Sequence, residues 1–183
     1  MKKSMIIGFI SIIFASVLLS SCDLLDLTPK AAVTVKTYFK NESELELYAN
    51  RFYSDILPGG SGIYKEIGDN MIWIPLASEV SLTRTVPEKG GGWSFEALRH
   101  INFLLENISN CPDAAAVRKY TGVAKFFRAH YYFNMVKRFG DVPWLDHVPG
   151  TDDPALYKAR DSRDFVMEKV IEDLDEAFKA ISE

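Results

Sequence analysis

The stretch from Asp113 to Pro143 limits the fold more than any other part of the chain. It opens on Cys111-Pro112-Asp113, which breaks one helix and caps the next, and runs without Pro to Phe139. At about 1.5 Å per residue the implied helix is roughly 40 Å long. Within it, "AKFFRAHYYFNMVKRFGDVPW" (124–144) holds seven of the chain's 23 aromatic residues. One row reads Val117, Tyr120, Ala124, Phe127, Tyr131, Met135, and a second reads Val123, Phe126, Phe133, Val136. Rows at three- and four-residue spacing mark helix faces, and two of them predict a helix packed on two sides. Gly140 suits the position just past a helix end and Pro143 prevents continuation, so the stop is helix-end chemistry. The aromatic density therefore reads as interior rather than as a sugar-stacking surface. Arg128, Lys137 and Arg138 are expected to lay their stems on apolar surface and keep their charged heads in water.

Three further helices follow from the same spacing. Asn41-Glu42-Ser43-Glu44 fits an N-cap with an acidic residue three positions later, and Leu45, Tyr48, Ala49, Phe52 and Ile56 then form one face before Pro58-Gly59-Gly60 ends it. A helix over about 94–108 places Phe95, Leu98, Ile101, Leu105 and Ile108 together. Another begins near Ser162 with Met167, Val170, Ile171, Leu174, Ala177, Phe178 and Ile181 on its apolar face. The fold class is all-α, with antiparallel helix pairs of tetratricopeptide-like packing; Ala124 and Ala129 are the small residues where helices approach. No internal period near 34 residues is visible, so repeats are not claimed from the residues alone.

Residues 58–93 break this regularity. The segment is rich in Gly and Pro yet carries Tyr64, Met71, Ile72, Trp73, Ile74 and Trp93. Long irregular segments in helical domains are commonly functional. Trp73 and Trp93 lie off every helical stripe, with Asp69, Asn70 and Arg84 nearby to bond hydroxyls. These five are the candidate ligand-binding residues. The other reading of both tryptophans, as anchors of the loop onto the helices, stays open.

The N-terminus has its own pattern. Lys2 and Lys3 precede an apolar run from Met5 to Leu19, then Ser20, Ser21 and Cys22. The run is short and ends in small residues, as a secretory signal does. Leu19-Ser20-Ser21-Cys22 also resembles a bacterial lipobox. Residues 1–21 are thus expected to be a lipoprotein signal peptide, with Cys22 the site of lipid attachment. Simple cleavage that leaves a thiol, or an uncleaved anchor, are the alternatives. Residues 22–40, with Pro29 and Val33-Thr34-Val35, read as an extended tether. Residues 41–183 form the helical domain.

Several chemistries are excluded. A net charge of −4 offers no basic face for nucleic acid. Cys22 and Cys111 are the two cysteines, so no disulfide framework or cysteine metal spacing exists. His100, His130 and His147 form no HxxxH or HExxH pattern, and His130 reads as a packed or hydrogen-bonded mid-helix residue. The loop aspartates Asp141, Asp146, Asp152 and Asp153 match no EF-hand spacing and read as solvated carboxylates. "PGGSG" and "KGGGW" lack the residues of a phosphate loop, and no nucleophile–base grouping is legible. No catalytic residue, metal or cofactor is assigned.

In order along the chain come a lipobox cysteine followed by "LDLTP" (25–29), then "VTVKTYFKNESELE" (33–46), "ALRHINFLLENI" (97–108), the aromatic third-helix stretch, and "DSRDFVMEKVIEDLDEAF" (161–178). This series resembles the N-terminal part of the SusD/RagB family of outer-membrane nutrient-binding lipoproteins. The core Arg128-Ala129-His130-Tyr131-Tyr132-Phe133, followed by Phe139-Gly140-Asp141-Val142-Pro143, is its most specific portion. The resemblance implies a mostly helical protein, not an enzyme, anchored to the outer membrane through acylated Cys22. It implies a lid on a SusC-like TonB-dependent transporter that captures an oligosaccharide or other nutrient. A helical-repeat lipoprotein that serves only protein–protein interaction is the alternative. Family members are usually much longer, so the chain is expected to be truncated at its C-terminus.

Overall fold

Asn41 begins the first regular element for a local reason. In the computed structural model, which describes residues 38–59, 74–76, 78, 80–86 and 88–182, its side chain accepts from the Glu44 amide at 3.0 Å. The Glu44 carboxylate reaches back to the Lys40 amide at 2.8 Å, so two otherwise orphaned donors are satisfied. Helix α1 spans Glu42–Ile56 and buries Leu45, Ala49 and Phe52. Phe39, fully buried just before it, holds a left-handed backbone (φ 65°) and packs its ring on Tyr48 and Phe103. An aromatic residue adopts that conformation only where its surroundings hold it. The signal segment 1–21, Cys22 and the tether up to residue 37 lie outside the described residues, as do Asp69, Asn70 and Trp73.

Helix α2 (Glu96–Asn107) continues into a 3₁₀ turn, Ile108–Asn110. Asp113 then caps helix α3 (Ala114–Phe139), accepting from the amides of Ala115 and Ala116. Gly140, at φ 73°, ends α3 and donates its amide to Val136 O at 2.9 Å. Helix α4 (Arg163–Ser182) begins on Ser162 and Asp141, which accept from the amides of Phe165 and Arg163. Every described helix packs on α3: α1 and α2 on one side, α4 along much of its length.

Two buried clusters sit along α3. One gathers α1, α2 and the first half of α3 around Phe39, Phe52, Leu104 and Phe127; Cys111 is a buried free thiol within it. The other gathers the second half of α3, the start of α4 and the loop after Gly140 around Tyr132, Val142, Trp144 and Val166.

The two-sided packing of α3 is present, but the second side differs from the predicted row. Phe126 and Phe133 are more than 40 % exposed. The face toward α4 is built instead on Gly122, Arg128, Ala129 and Tyr132. A Cβ on Gly122 would stand 2.8 Å from Ile181 Cγ1 and 3.0 Å from Ala180 Cβ, so the helices approach where a side chain is missing. The expectation that Arg128 keeps its head in water is overturned: its side chain is 8 % exposed, and its guanidinium grips Asp173 of α4 through Nε–Oδ2 (2.6 Å) and Nη2–Oδ1 (2.7 Å). Lys137 and Arg138 do stay exposed. The apolar face of α4 is rotated accordingly. Val166, Val170, Asp173 and Ala177 point inward, while Ile171, Leu174, Phe178 and Ile181 are 41–74 % exposed. A paired charge at the interface displaces the apolar stripe outward. In α2, Leu104 and the polar Asn102 are buried where Leu105 was expected.

Candidate functional site

The C-terminal end of α3 is where the irregular segment returns to the helices. Gly90, Gly91 and Gly92 all hold positive φ, and Trp93 donates its amide to Gly90 O at 2.8 Å. At Gly92 the backbone angle (φ 89°) itself calls for glycine, since a Cβ there would meet Arg138 Nε only at an ordinary contact distance of 3.4 Å. Tyr131 Oη then ties the segment to α3 by donating to Ser94 O at 2.6 Å. Burial pushes this phenol far above its ordinary range.

That turn brings Trp93 edge-on to Phe139 at 4.9 Å between ring centroids and to Phe95 at 5.5 Å. The Arg160 guanidinium lies 4.7 Å from the indole centroid. Trp93 remains half-buried and walls a groove of about 430 Å³. Phe95, Leu98, Pro143, Leu145 and Leu156 give the groove apolar surface; Glu96, Arg99, Asn102, His147 and Lys158 give it polar groups. An aromatic wall with a few converging polar groups is the usual composition of a small-ligand site.

Arg84 lines a second cleft with Gly90, Gly91, Arg138 and Phe139. Phe139 therefore lines the Arg84 cleft and also packs against Trp93, which lines the first groove. A third, of about 480 Å³, shares Arg138 and Phe139 with the Arg84 cleft and is lined by Arg51, Asp55, Tyr131 and Asn134. Asp69, Asn70 and Trp73, the other candidates, fall outside the described residues.

The far wall of the groove is the loop after Gly140, fixed by polar groups that periodicity alone does not reveal. Asn102 Nδ2 donates to the carbonyls of both Leu145 and His147 at 3.0 Å. Its Oδ1 faces Arg128 Nη1 at 3.4 Å, which joins the loop to the ion pair between α3 and α4. Tyr132 Oη accepts from the Leu145 amide at 2.6 Å, and its ring stacks on Trp144 at 4.4 Å. Burial raises the Tyr132 phenol well above its ordinary range. The chain pairs once with itself here: Asp161 N donates to Val142 O, and the Asp161 carboxylate accepts from Trp144 N and pairs with Lys158. The aspartates read as solvated carboxylates thus differ in role. Asp141 caps α4, and Asp153 caps the 3₁₀ turn Pro154–Tyr157 through Ala155 N at 2.8 Å. Among the described residues no group of three His, Cys, Asp or Glu side chains could hold a metal ion, and no helix is long and apolar enough to cross a membrane.

The fold and groove together define a helical scaffold whose inter-helix loops wall a concavity of about 430 Å³. Residues 83–183, more than half of the chain, match the model of the SusD-like family described as starch-binding and associating with the outer membrane. The chain belongs to this SusD-like family. Its structure is similar to the crystal structure of a SusD-like protein from Bacteroides fragilis NCTC 9343, with a TM-score of 0.57 and 22 % sequence identity. The likeness covers 79 % of this chain and 30 % of that one, so the chain spans less than a third of the solved relative. No curated protein matches the chain. The all-α class and the resemblance drawn from residues 97–108, 124–144 and 161–178 agree with these findings.

Proposed function

We propose that the protein is an outer-membrane lipoprotein, not an enzyme, that binds an oligosaccharide or similar nutrient and serves as the lid of a SusC-like TonB-dependent transporter. Acylated Cys22 is its membrane anchor, and the Trp93 groove supplies part of its ligand surface, with Trp73, Asp69, Asn70 and Arg84 as further contacts. The observation that carries this reading is the groove itself. Within a family described as starch-binding, Trp93 stands off every helical stripe and walls a concavity of about 430 Å³ between the helices and the loop after α3. The indole offers an apolar face to a sugar's C–H surface, while the exposed Glu96 and Arg99 supply hydroxyl partners.

Affinity electrophoresis through gels containing starch, with a panel of other glycans, tests the reading. Starch is expected to retard the wild-type chain and to retard Trp93→Ala and Trp73→Ala less. Equal migration of all three proteins in every glycan would remove both tryptophans from the site.

A second reading has its own support. Trp93 is held by Phe95, Phe139 and Arg160, as a loop anchor would be, and α4 presents an exposed apolar row of Ile171, Leu174, Phe178 and Ile181. A lipoprotein that only docks a protein partner would show these features and no glycan shift. Cys22→Ala separates the anchor from the rest: the variant is expected in the soluble fraction, and unchanged membrane fractionation would contradict acylation.

A further inference from the structure

We propose that His147 is a pH-operated latch on the groove: its imidazolium clips Asp146 to Asp153, holding residues 145–158 closed as the far wall, and its deprotonation loosens that wall. The consequence for ligand affinity rests on the Trp93 groove being the ligand site; the latch itself does not.

The geometry requires a proton count. His147 Nδ1 stands 3.0 Å from Asp146 Oδ1, and Nε2 stands 2.8 Å from Asp153 Oδ2. Both acceptors are carboxylate oxygens. A neutral imidazole carries one N–H, so it can satisfy only one of these contacts; the other then sets a nitrogen lone pair against a carboxylate. Only the doubly protonated ring donates to both. The clip also spans two differently anchored pieces of the loop. On one side the His147 carbonyl accepts from buried Asn102, and Val148 N donates to Glu106 Oε1 at 2.6 Å, so this piece is fastened to α2. On the other side Asp153 caps the turn whose Ala155 and Leu156 line the groove. The imidazolium joins the two pieces, both of which contribute to the groove's lining.

The surrounding charges favour the closed form at low pH. Asp146 and then Asp153 raise the His147 pKa above its ordinary value of 6.5, and His147 in turn holds Asp146 down. Asp153 is held down first by the Ala155 amide and then by His147. From α3, Arg128 further favours ionised Asp146. From α2, Glu106 and Arg99 face the same wall with opposite charges, and Lys158 is engaged by Asp161. A raised pKa in the closed loop means that the latch is fully engaged below pH 6.5 and is lost as pH rises through the raised value.

The test uses the full chain with three readouts across pH 5.5–9. In NMR, the His147 ring protons are expected to titrate above the ordinary imidazole range. In Asp153→Asn, which keeps an oxygen to cap Ala155 but removes the charge, the titration should move down. Amide hydrogen exchange, corrected for its intrinsic pH dependence, should accelerate in residues 145–158 above the His147 titration and stay unchanged in α3. His147→Gln should abolish that pH step. Maltoheptaose affinity by calorimetry should fall by up to about tenfold per pH unit through the same window, the limit for one linked proton. His147 titrating at or below the ordinary range, or loop exchange that shows no step, would overturn the latch. Maltoheptaose binding that is independent of pH while the loop exchange does step would overturn its link to the groove. An engaged latch with no glycan bound at any pH would instead count against the groove as the ligand site and leave the latch standing on the exchange data.

Discussion

Replacing Asp173 by Ala should be among the most damaging single changes in the described chain. Asp173 and Arg128 are 5 % and 8 % exposed at their side chains, and the two short, parallel bonds between them form a bidentate grip. Removing the carboxylate leaves the guanidinium buried against Trp144 and Asn102 without its bidentate partner. Breaking one partner of a buried pair costs ~3–5 kcal/mol, because the remaining charge stays desolvated. For a domain of this size, where 1 kcal/mol moves Tm by about 2–4 °C, the midpoint should fall on the order of 10 °C. Because Lys125 Nζ also lies 3.8 Å from Asp173, the reverse change strands the carboxylate less completely. The double variant Arg128→Met/Asp173→Leu should recover most of the loss, since an apolar pair of similar volume removes the desolvation penalty on both sides. Urea denaturation followed by circular dichroism measures all three changes. A cost for Asp173→Ala below about 1 kcal/mol, or a double variant no more stable than the single one, would show that the buried guanidinium does not depend on this carboxylate.

Four other outcomes follow from the packing. Gly122→Ala should bring no stability, although Ala gains about 1 kcal/mol of helix propensity over Gly, because the added methyl meets Ile181 at 2.8 Å and Ala177 O at 3.2 Å; Gly122→Val should cost ~2 kcal/mol in the same denaturation assay. Tyr48, with its phenol pushed up to about 12 chiefly by burial, should remain protonated at pH 11 by ultraviolet difference spectroscopy. A phenol raised in the folded state stabilises the fold up to its unfolded value near 10, and that contribution is lost as pH climbs to about 12; Tyr48→Phe should flatten this part of the pH–stability curve.

The helix ends were readable because they are local. Asn41, Asp113 and Gly140 act on groups within a few residues of themselves, so their roles are visible in the order of residues. The orientation of α4 was not readable. Its apolar positions suggest a face on Ile171, Leu174, Phe178 and Ile181, yet Asp173 points inward because Arg128, 45 residues earlier, meets it there. Polar pairs that cross the core contradict periodicity, and the order of residues in a single sequence does not show which polar residues pair. The same limit applies to the site. Trp93 stands out by lying off the helical stripes, but Arg160 over its ring, the Asn102 bonds to the opposite wall and the His147 clip all join residues far apart in the chain.

The proposed function places a glycan in the groove beside Trp93. The chain has three tryptophans, so a ¹H–¹⁵N spectrum reports each indole N–H separately. Titration with maltoheptaose should shift the Trp93 indole in a saturable manner and leave that of buried Trp144 nearly unmoved. Saturable binding that leaves the Trp93 indole unshifted would place the glycan elsewhere than in this groove.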